Sequence, residues 1–373
     1  MTAGTISAKG KATETPQCLQ GDPVTTCKTV PKKESKKPVK VAIAIRLLDI
    51  LEINQKEGTW TVRAFIYARW RDRRLSFKAT DFNNNKRLHY YGAAAIEQIE
   101  RMWHPQLSII NQIKERHTER LDVHIRRNGV VEYKELFRAR MRLNFDFRKF
   151  PFDEHAAKIE IEPFSMTQNL VRLVPGIRKS GNSSTPPNTW NSDNYRIEFS
   201  SRPEPRYDLS SDTPGAWLSP DKANEFSLMT VTLDLNREYV NFLTTKILIL
   251  FVLALMMWVN AQGWISWVNA QGMFREKTVN EFASSSYFLG IIFFSHNAQN
   301  MLPTLPYLTL YKVLVMEIYA YAFSDFLVYM LAWKVGVLER YILCSRLKRL
   351  QIYILGPLLL ITWGITVAYF LVL

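Results

Sequence analysis

The sequence predicts an all-β extracellular sandwich followed by an all-α four-helix transmembrane domain, and three observations carry that prediction. Up to about residue 240, β-branched and aromatic residues alternate with Arg, Lys and Glu, the period-2 pattern of half-buried strands. From about Thr244 onward long apolar runs take over, at roughly Tyr239–Gln262, Glu276–Pro303, Leu308–Val335 and Ile352–Leu373. Each is long enough to cross ~30 Å of hydrocarbon at ~1.5 Å per residue. Finally, the short connections differ in charge: Arg275 and Lys277 lie between the first two runs, and Arg340, Arg346, Lys348 and Arg349 between the last two, but Leu302–Tyr307 holds no Lys or Arg. Short basic loops stay in the cytoplasm, so a cell (inner) membrane is expected, with the head and both termini extracytoplasmic.

In chain order, residues 1–39 are rich in Lys, Pro and Thr and nearly free of large apolar residues. Such a segment cannot bury enough surface to offset its ordering, which predicts a disordered or weakly attached leader. Cys18 and Cys27 lie in it, where an external compartment permits a disulfide, whereas Cys344 beside the inner basic linker is expected as a reduced thiol. Residues 40–238 form the expected sandwich. Its strand signals are VAIAIRLLDILEI from Val41, TWTVRAFIYARW from Thr59, AAKIEIEPF from Ala156, LVRLV from Leu170, YRIEFSS from Tyr195 and LMTVTLDL from Leu228. Asn128-Gly129, set between two β-rich runs, is the strongest hairpin signal in the chain. One helix is expected at Gly92–Trp103, and residues 239–373 form the transmembrane part.

Composition excludes several classes. The formal net charge is +14, yet the basic residues are spread over strands and membrane-flanking loops rather than along a recognition helix, so no nucleic-acid partner is expected. No hydrolase, zinc-protease, P-loop or dinucleotide fingerprint occurs, which argues against an enzyme. No cysteine pair has metal-ligand spacing, so no metal or cofactor is expected. His104, His117, His124 and His155 titrate near neutrality in principle, and each is read as solvated or strand-paired.

The second apolar run is unusually wet. It carries Asn280 and Glu281 near one end, Ser284, Ser285 and Ser286 in its lower middle, and His296, Asn297, Gln299 and Asn300 near the other. Unpaired polar groups cost several kcal/mol in hydrocarbon, so this helix either lines an aqueous path or is buried in a bundle with its serines bonded to backbone. At three- and four-residue spacing, Val279, Ala283, Leu289, Gly290, Phe293 and Asn297 share the face of Ser286. Nearby, the hexapeptide WVNAQG occurs at Trp258–Gly263 and again at Trp267–Gly272, a tandem duplication that extends the first helix or forms an inner loop.

The order of motifs resembles the pentameric ligand-gated ion channels, the bacterial branch in particular. The motifs are Trp70-Arg-Asp72-Arg-Arg-Leu75, Trp103-His-Pro105 followed by Asn111, Phe150-Pro151-Phe152-Asp153, and Arg237 just before the four spans. The likeness covers about Val41–Leu373. The paired cysteines of animal receptors would fall at Leu143 and Ala157, so that disulfide is absent. What the resemblance implies is a homopentamer in a lipid bilayer, a ligand- or proton-gated channel for monovalent cations with its second helices around the pore. The alternative is a membrane-anchored oligomeric ligand-binding protein without conductance.

Carried onto this sequence, the resemblance implies a ligand site between subunits at Phe65, Ile110, Phe164, Tyr207 and Trp217. Phe65 and Trp70 are five apart and so point to opposite faces of their strand. It implies a pore lined by Glu276, Val279, Phe282, Ser286, Leu289, Phe293 and His296. The register slides by about one turn between an anchor at Glu276 and one at Pro303, and either Glu276 or Glu281 would form the acidic ring. It also implies a gating interface at Lys56, Asp153, Arg237 and Pro303. Agonist identity stays open among protons, amines and other small molecules.

Overall fold

A computed structural model describes residues 25–31, 37–176, 181–182, 190–203, 225–271, 278–299, 302–337, 346 and 349–372. After a short helix α1 (Thr25–Lys28), the head contains β1 (Val39–Asn54), β2 (Thr59–Ser76), β3 (Arg87–Tyr91), helix α2 (Ala93–Arg101), β4 (Leu107–Ile109), β5 (His117–Arg126), β6 (Asn128–Arg142), β7 (Glu154–Pro163), β8 (Val171–Pro175), β9 (Gly181–Asn182), β10 (Trp190–Pro203) and β11 (Glu225–Arg237). They form a seven-stranded sheet in the order β3-β5-β6-β2-β1-β8, with β9 also paired to β1, and a four-stranded sheet in the order β10-β11-β7-β4. The alternation in β2 sends Trp60, Val62, Ala64, Ile66, Ala68 and Trp70 inward, where β7 and β11 contribute Ile159, Ile161, Val231 and Leu233. Burying these side chains is worth about 1.5–3 kcal/mol for each large one, which makes this two-layer core the main source of the head's stability.

The hairpin expected at Asn128-Gly129 joins β5 to β6, and Gly129 sits at φ 74, where a side chain is strained. A Cβ there would also meet the Asp72 carbonyl oxygen at 2.2 Å. The Trp70–Leu75 motif is structural in the head: Trp70 and Leu75 are core residues, and the buried Asp72 accepts from the Arg74 backbone N–H at 3.0 Å and its Nη2 at 2.7 Å.

Two expectations need correction. Residues 25–31 are attached to the head, contrary to a leader disordered through residue 39: Cys27 is buried and disulfide-bonded, its carbonyl accepts from Trp103 N–H at 2.7 Å, and the Thr29 carbonyl accepts from Arg74 at 2.8 Å. The leader's composition is polar, but one cysteine and two backbone carbonyls suffice to anchor its end. His155 is neither solvated nor merely strand-paired, since it is buried at 5% exposure beside Asp153.

Beyond β11 the chain becomes helical. A short α3 (Val240–Phe242) and a π-turn (Leu243–Ile247) lead into α4 (Leu248–Gln271), followed by α5 (Thr278–Gln299), α6 (Leu310–Val337), a second π-turn (Gln351–Leu355) and α7 (Gly356–Val372). The WVNAQG duplication therefore extends α4, which runs through both copies up to Gln271. Two helical stretches among the described residues, Val240–Asn260 and Ile352–Val372, are long and apolar enough to cross a membrane, and Ser286–His296 is a shorter apolar stretch. The third run is less apolar because it carries Lys312, Glu317 and Asp325; Glu317 accepts a 2.5 Å hydrogen bond from Thr366 of α7.

Candidate functional site

Three places bear on function: the outer face of the seven-stranded sheet, the seam between head and helices, and the exposed face of α5. On the sheet face, Phe65 is half-buried and Trp70 is buried, in keeping with their odd separation along β2. Strand register sets Phe65 opposite Leu136, Tyr67 opposite Lys134 and Arg69 opposite Glu132 on β6. The Lys134 ammonium consequently lies 4.7 Å from the centre of the Phe65 ring and 5.9 Å from that of Tyr67, so a cation of the chain itself already holds these ring faces. Farther along, β3 pairs with β5 and stacks His89 on His124 with centroids 3.9 Å apart. A cavity of about 340 Å³ opens on this face, lined by residues including Tyr67, Arg69, Arg87, His124, Arg126 and Lys134.

Ile110 and Phe164 directly follow β4 and β7 of the second sheet. Phe164 follows β7, is 59% exposed, and donates its N–H to the Gln106 carbonyl at 2.9 Å. Ile110 is half-buried and its N–H donates to the Glu160 carbonyl at 2.9 Å, while Asn111 clips the same strand by donating to the Lys158 carbonyl at 2.8 Å. One chain thus places Phe65 on one sheet and Phe164 and Ile110 on the other. Tyr207 and Trp217 lie outside the described residues.

At the seam, Arg237 grips Asp153 in bidentate fashion, Nε to Oδ1 at 2.6 Å and Nη2 to Oδ2 at 2.8 Å. His155 Nε2 meets Oδ2 at 2.6 Å, and all three side chains are almost completely buried. The guanidinium is sandwiched between Trp190, 4.4 Å from its ring centre, and Phe150, at 4.8 Å. Burial works against the charge on Asp153, but hydrogen bonds from Arg237 and His155 hold its carboxyl below the usual value. Of the loop after β1, Gln55 accepts from Arg237 at 3.2 Å, whereas Lys56 is exposed.

The same loop that supplies Asp153 plugs into the helices. Phe150 packs edge-on against Phe242, with centroids 4.7 Å apart, and its carbonyl accepts from Tyr311 N–H at 3.3 Å. Phe147 N–H donates to Tyr307 Oη at 3.1 Å, and the Arg148 carbonyl accepts from Leu310 N–H at 2.8 Å. Pro303 is half-buried in the turn before α6. Motif reading located Asp153 and Arg237. It missed His155, Trp190 and the Phe147–Tyr307 bond, for which the only signals were an unexplained histidine and isolated aromatics.

In α5, Leu289 and Phe293 are 65% and 66% exposed, with Ser286, Ile292 and His296 also exposed, while Ile291 and Ser295 are buried at 0%. Ser295 bonds to the Ile292 carbonyl and the Tyr319 hydroxyl, and Gly290 faces Leu253 of α4. Glu276 lies outside the described residues, and of Val279 and Phe282 only the backbone is described, as part of α5.

Residues 26–238 match the family described as neurotransmitter-gated ion-channel ligand binding domain. The chain is similar to a proton-gated ion channel of Gloeobacter violaceus, 31% identical over 138 residues, which is 37% of this chain and 36% of that one. It is also similar to the human gamma-aminobutyric acid receptor subunit rho-1, 26% identical over 39% of this chain and 29% of that one. A Caenorhabditis elegans acetylcholine receptor subunit of alpha type is 27% identical over 42% of this chain and 29% of its own. The matches span about a third of the length of these relatives.

Proposed function

The chain belongs to the neurotransmitter-gated ion-channel family, and from that premise we propose that it is a homopentameric channel that passes monovalent cations when a small molecule or protons act on the head. One observation carries this reading: α5 leaves Ser286, Leu289, Phe293 and His296 exposed along one face while Ile291 and Ser295 pack inward. A helix of a finished bundle would not expose a polar-apolar stripe of that kind, but a helix awaiting symmetric copies around a water path would. Leu289 and Phe293 form the apolar constriction, and Glu276 or Glu281 supplies the acidic ring toward the cytoplasm. The four helical stretches act as four spans, with the head outside. The Asp153–Arg237 clasp and the Phe150 plug, both on one loop, transmit motion of the head to α3 and α6.

The test is electrical. Purified protein in a planar bilayer is expected to pass current under some condition of pH or added small molecule, with a reversal potential that follows the cation gradient. Leu289→Ser should wet the constriction and give leak, and neutralising Glu276 and Glu281 together should lower cation-over-anion permeability. Silence under every condition would leave the membrane-anchored binding protein. Unchanged selectivity in the double variant would remove the acidic ring.

A further inference from the structure

We propose that the cavity on the outer face of the seven-stranded sheet binds a small organic anion bearing one or two carboxylates, and that this is the class of ligand to which the head responds. The inference deepens the ligand-gated reading above and rests on it for the word "responds", but the binding claim stands by itself. Four cationic side chains line the cavity, Arg69, Arg87, Arg126 and Lys134, against one carboxylate, Glu132. That carboxylate is already engaged, in an ion pair with Arg126 and at 3.9 Å from Arg87. Among the described residues neither Arg69 nor Lys134 has an ion pair, so the cavity carries an excess of positive charge.

Carboxylate oxygens placed in the cavity would pair with the guanidinium and ammonium groups that line it and neutralise the surplus cations. At about 340 Å³ the space falls within the usual range of ligand cavities, roughly 300–1,000 Å³.

The same geometry disfavours a cationic amine. Aromatic faces attract ammonium groups, but the Phe65 and Tyr67 faces are held by Lys134, and an incoming cation would add repulsion from Arg69 and Arg87. Titration agrees in direction. Burial, and then His89 and Arg87, push His124 below the usual imidazole value, while Glu132 and Asp122 pull weakly the other way. Arg126 and Lys134 add further positive charge around it. A bound anion would favour the imidazolium, so affinity should rise as pH falls from about 8 toward 6.

Full-length protein in lipid nanodiscs, titrated calorimetrically with succinate, acetate, inorganic phosphate and tetramethylammonium, decides the matter. Succinate should bind saturably, tighter at pH 6 than at pH 8, and Arg69→Gln and Lys134→Met should each weaken it about tenfold or more. Two variants are used so that a failure of either to assemble leaves the other as the test. Phosphate binding as tightly as succinate, and lost in the same variants, would overturn the organic ligand in favour of an inorganic one. Saturable tetramethylammonium binding without succinate binding, or succinate binding indifferent to both variants, would overturn the site. Succinate binding in a protein that never conducts would remove the channel reading and leave this site standing, whereas amine-opened current insensitive to Arg69→Gln would do the reverse.

Discussion

The seam beneath the head and the face of the seven-stranded sheet handle charge in opposite ways. At the seam, Asp153, Arg237 and His155 are buried, hydrogen-bonded to one another and roofed by Trp190 and Phe150. On the sheet face, Arg69, Arg87, Arg126 and Lys134 gather around a single carboxylate beside an open cavity. The first arrangement is self-compensated and ties the end of β11 to the loop whose Phe150 packs against the helices. The second is compensated only in part, by Glu132, and the folded head tolerates the surplus because water and salt reach it. Charge that is complete within the chain positions, and charge that is incomplete is available to a ligand.

The sharpest way to break this contrast is to remove one cation from each place. Arg237→Met should cost about 3–5 kcal/mol or prevent assembly, because it strands a buried carboxylate. Lys134→Met should shift stability by no more than about 0.5 kcal/mol, or raise it, because it relieves like-charge crowding. Thermal unfolding of both variants in nanodiscs reads the difference; equal losses would dissolve the comparison. Joint replacement, Asp153→Asn with Arg237→Gln, should cost clearly less than the sum of the single changes if the pair is one unit.

Acid probes the seam through Asp153 and should act more gently. Asp153 is held below its usual value in the fold, so its contribution is fully present above the unfolded carboxyl value of about 3.9 and is lost as pH falls through the folded one. Melting temperatures taken from pH 6 down to pH 3 should fall in wild type and fall less steeply in Asp153→Asn. The smallest effects concern the loop after β1: Gln55→Ala, which removes a bond to the Arg237 guanidinium, should cost about 1 kcal/mol. Lys56→Ala should lie within about 0.5 kcal/mol of wild type, since that side chain is exposed.

Local pattern was enough for much of the fold. The alternation in TWTVRAFIYARW, the Asn128-Gly129 turn and the apolar runs each express a preference decided over a few residues, so strands, hairpin and long helices formed where that pattern placed them. Motifs likewise marked Asp153 and Arg237, which lie 84 positions apart. Composition misjudged the leader's end, because the Cys27 carbonyl is held by the N–H of Trp103, far along the chain. What only the tertiary structure decided is which side chains meet across strands. The stacking of His89 on His124, the seat of Lys134 over Phe65 and the crowding of four cations around Glu132 all depend on the register of β3 with β5 and of β2 with β6. Register is a non-local choice: slipping one strand by a single residue reverses every side chain on it, and nothing within that strand's own sequence states which partner residue it will face.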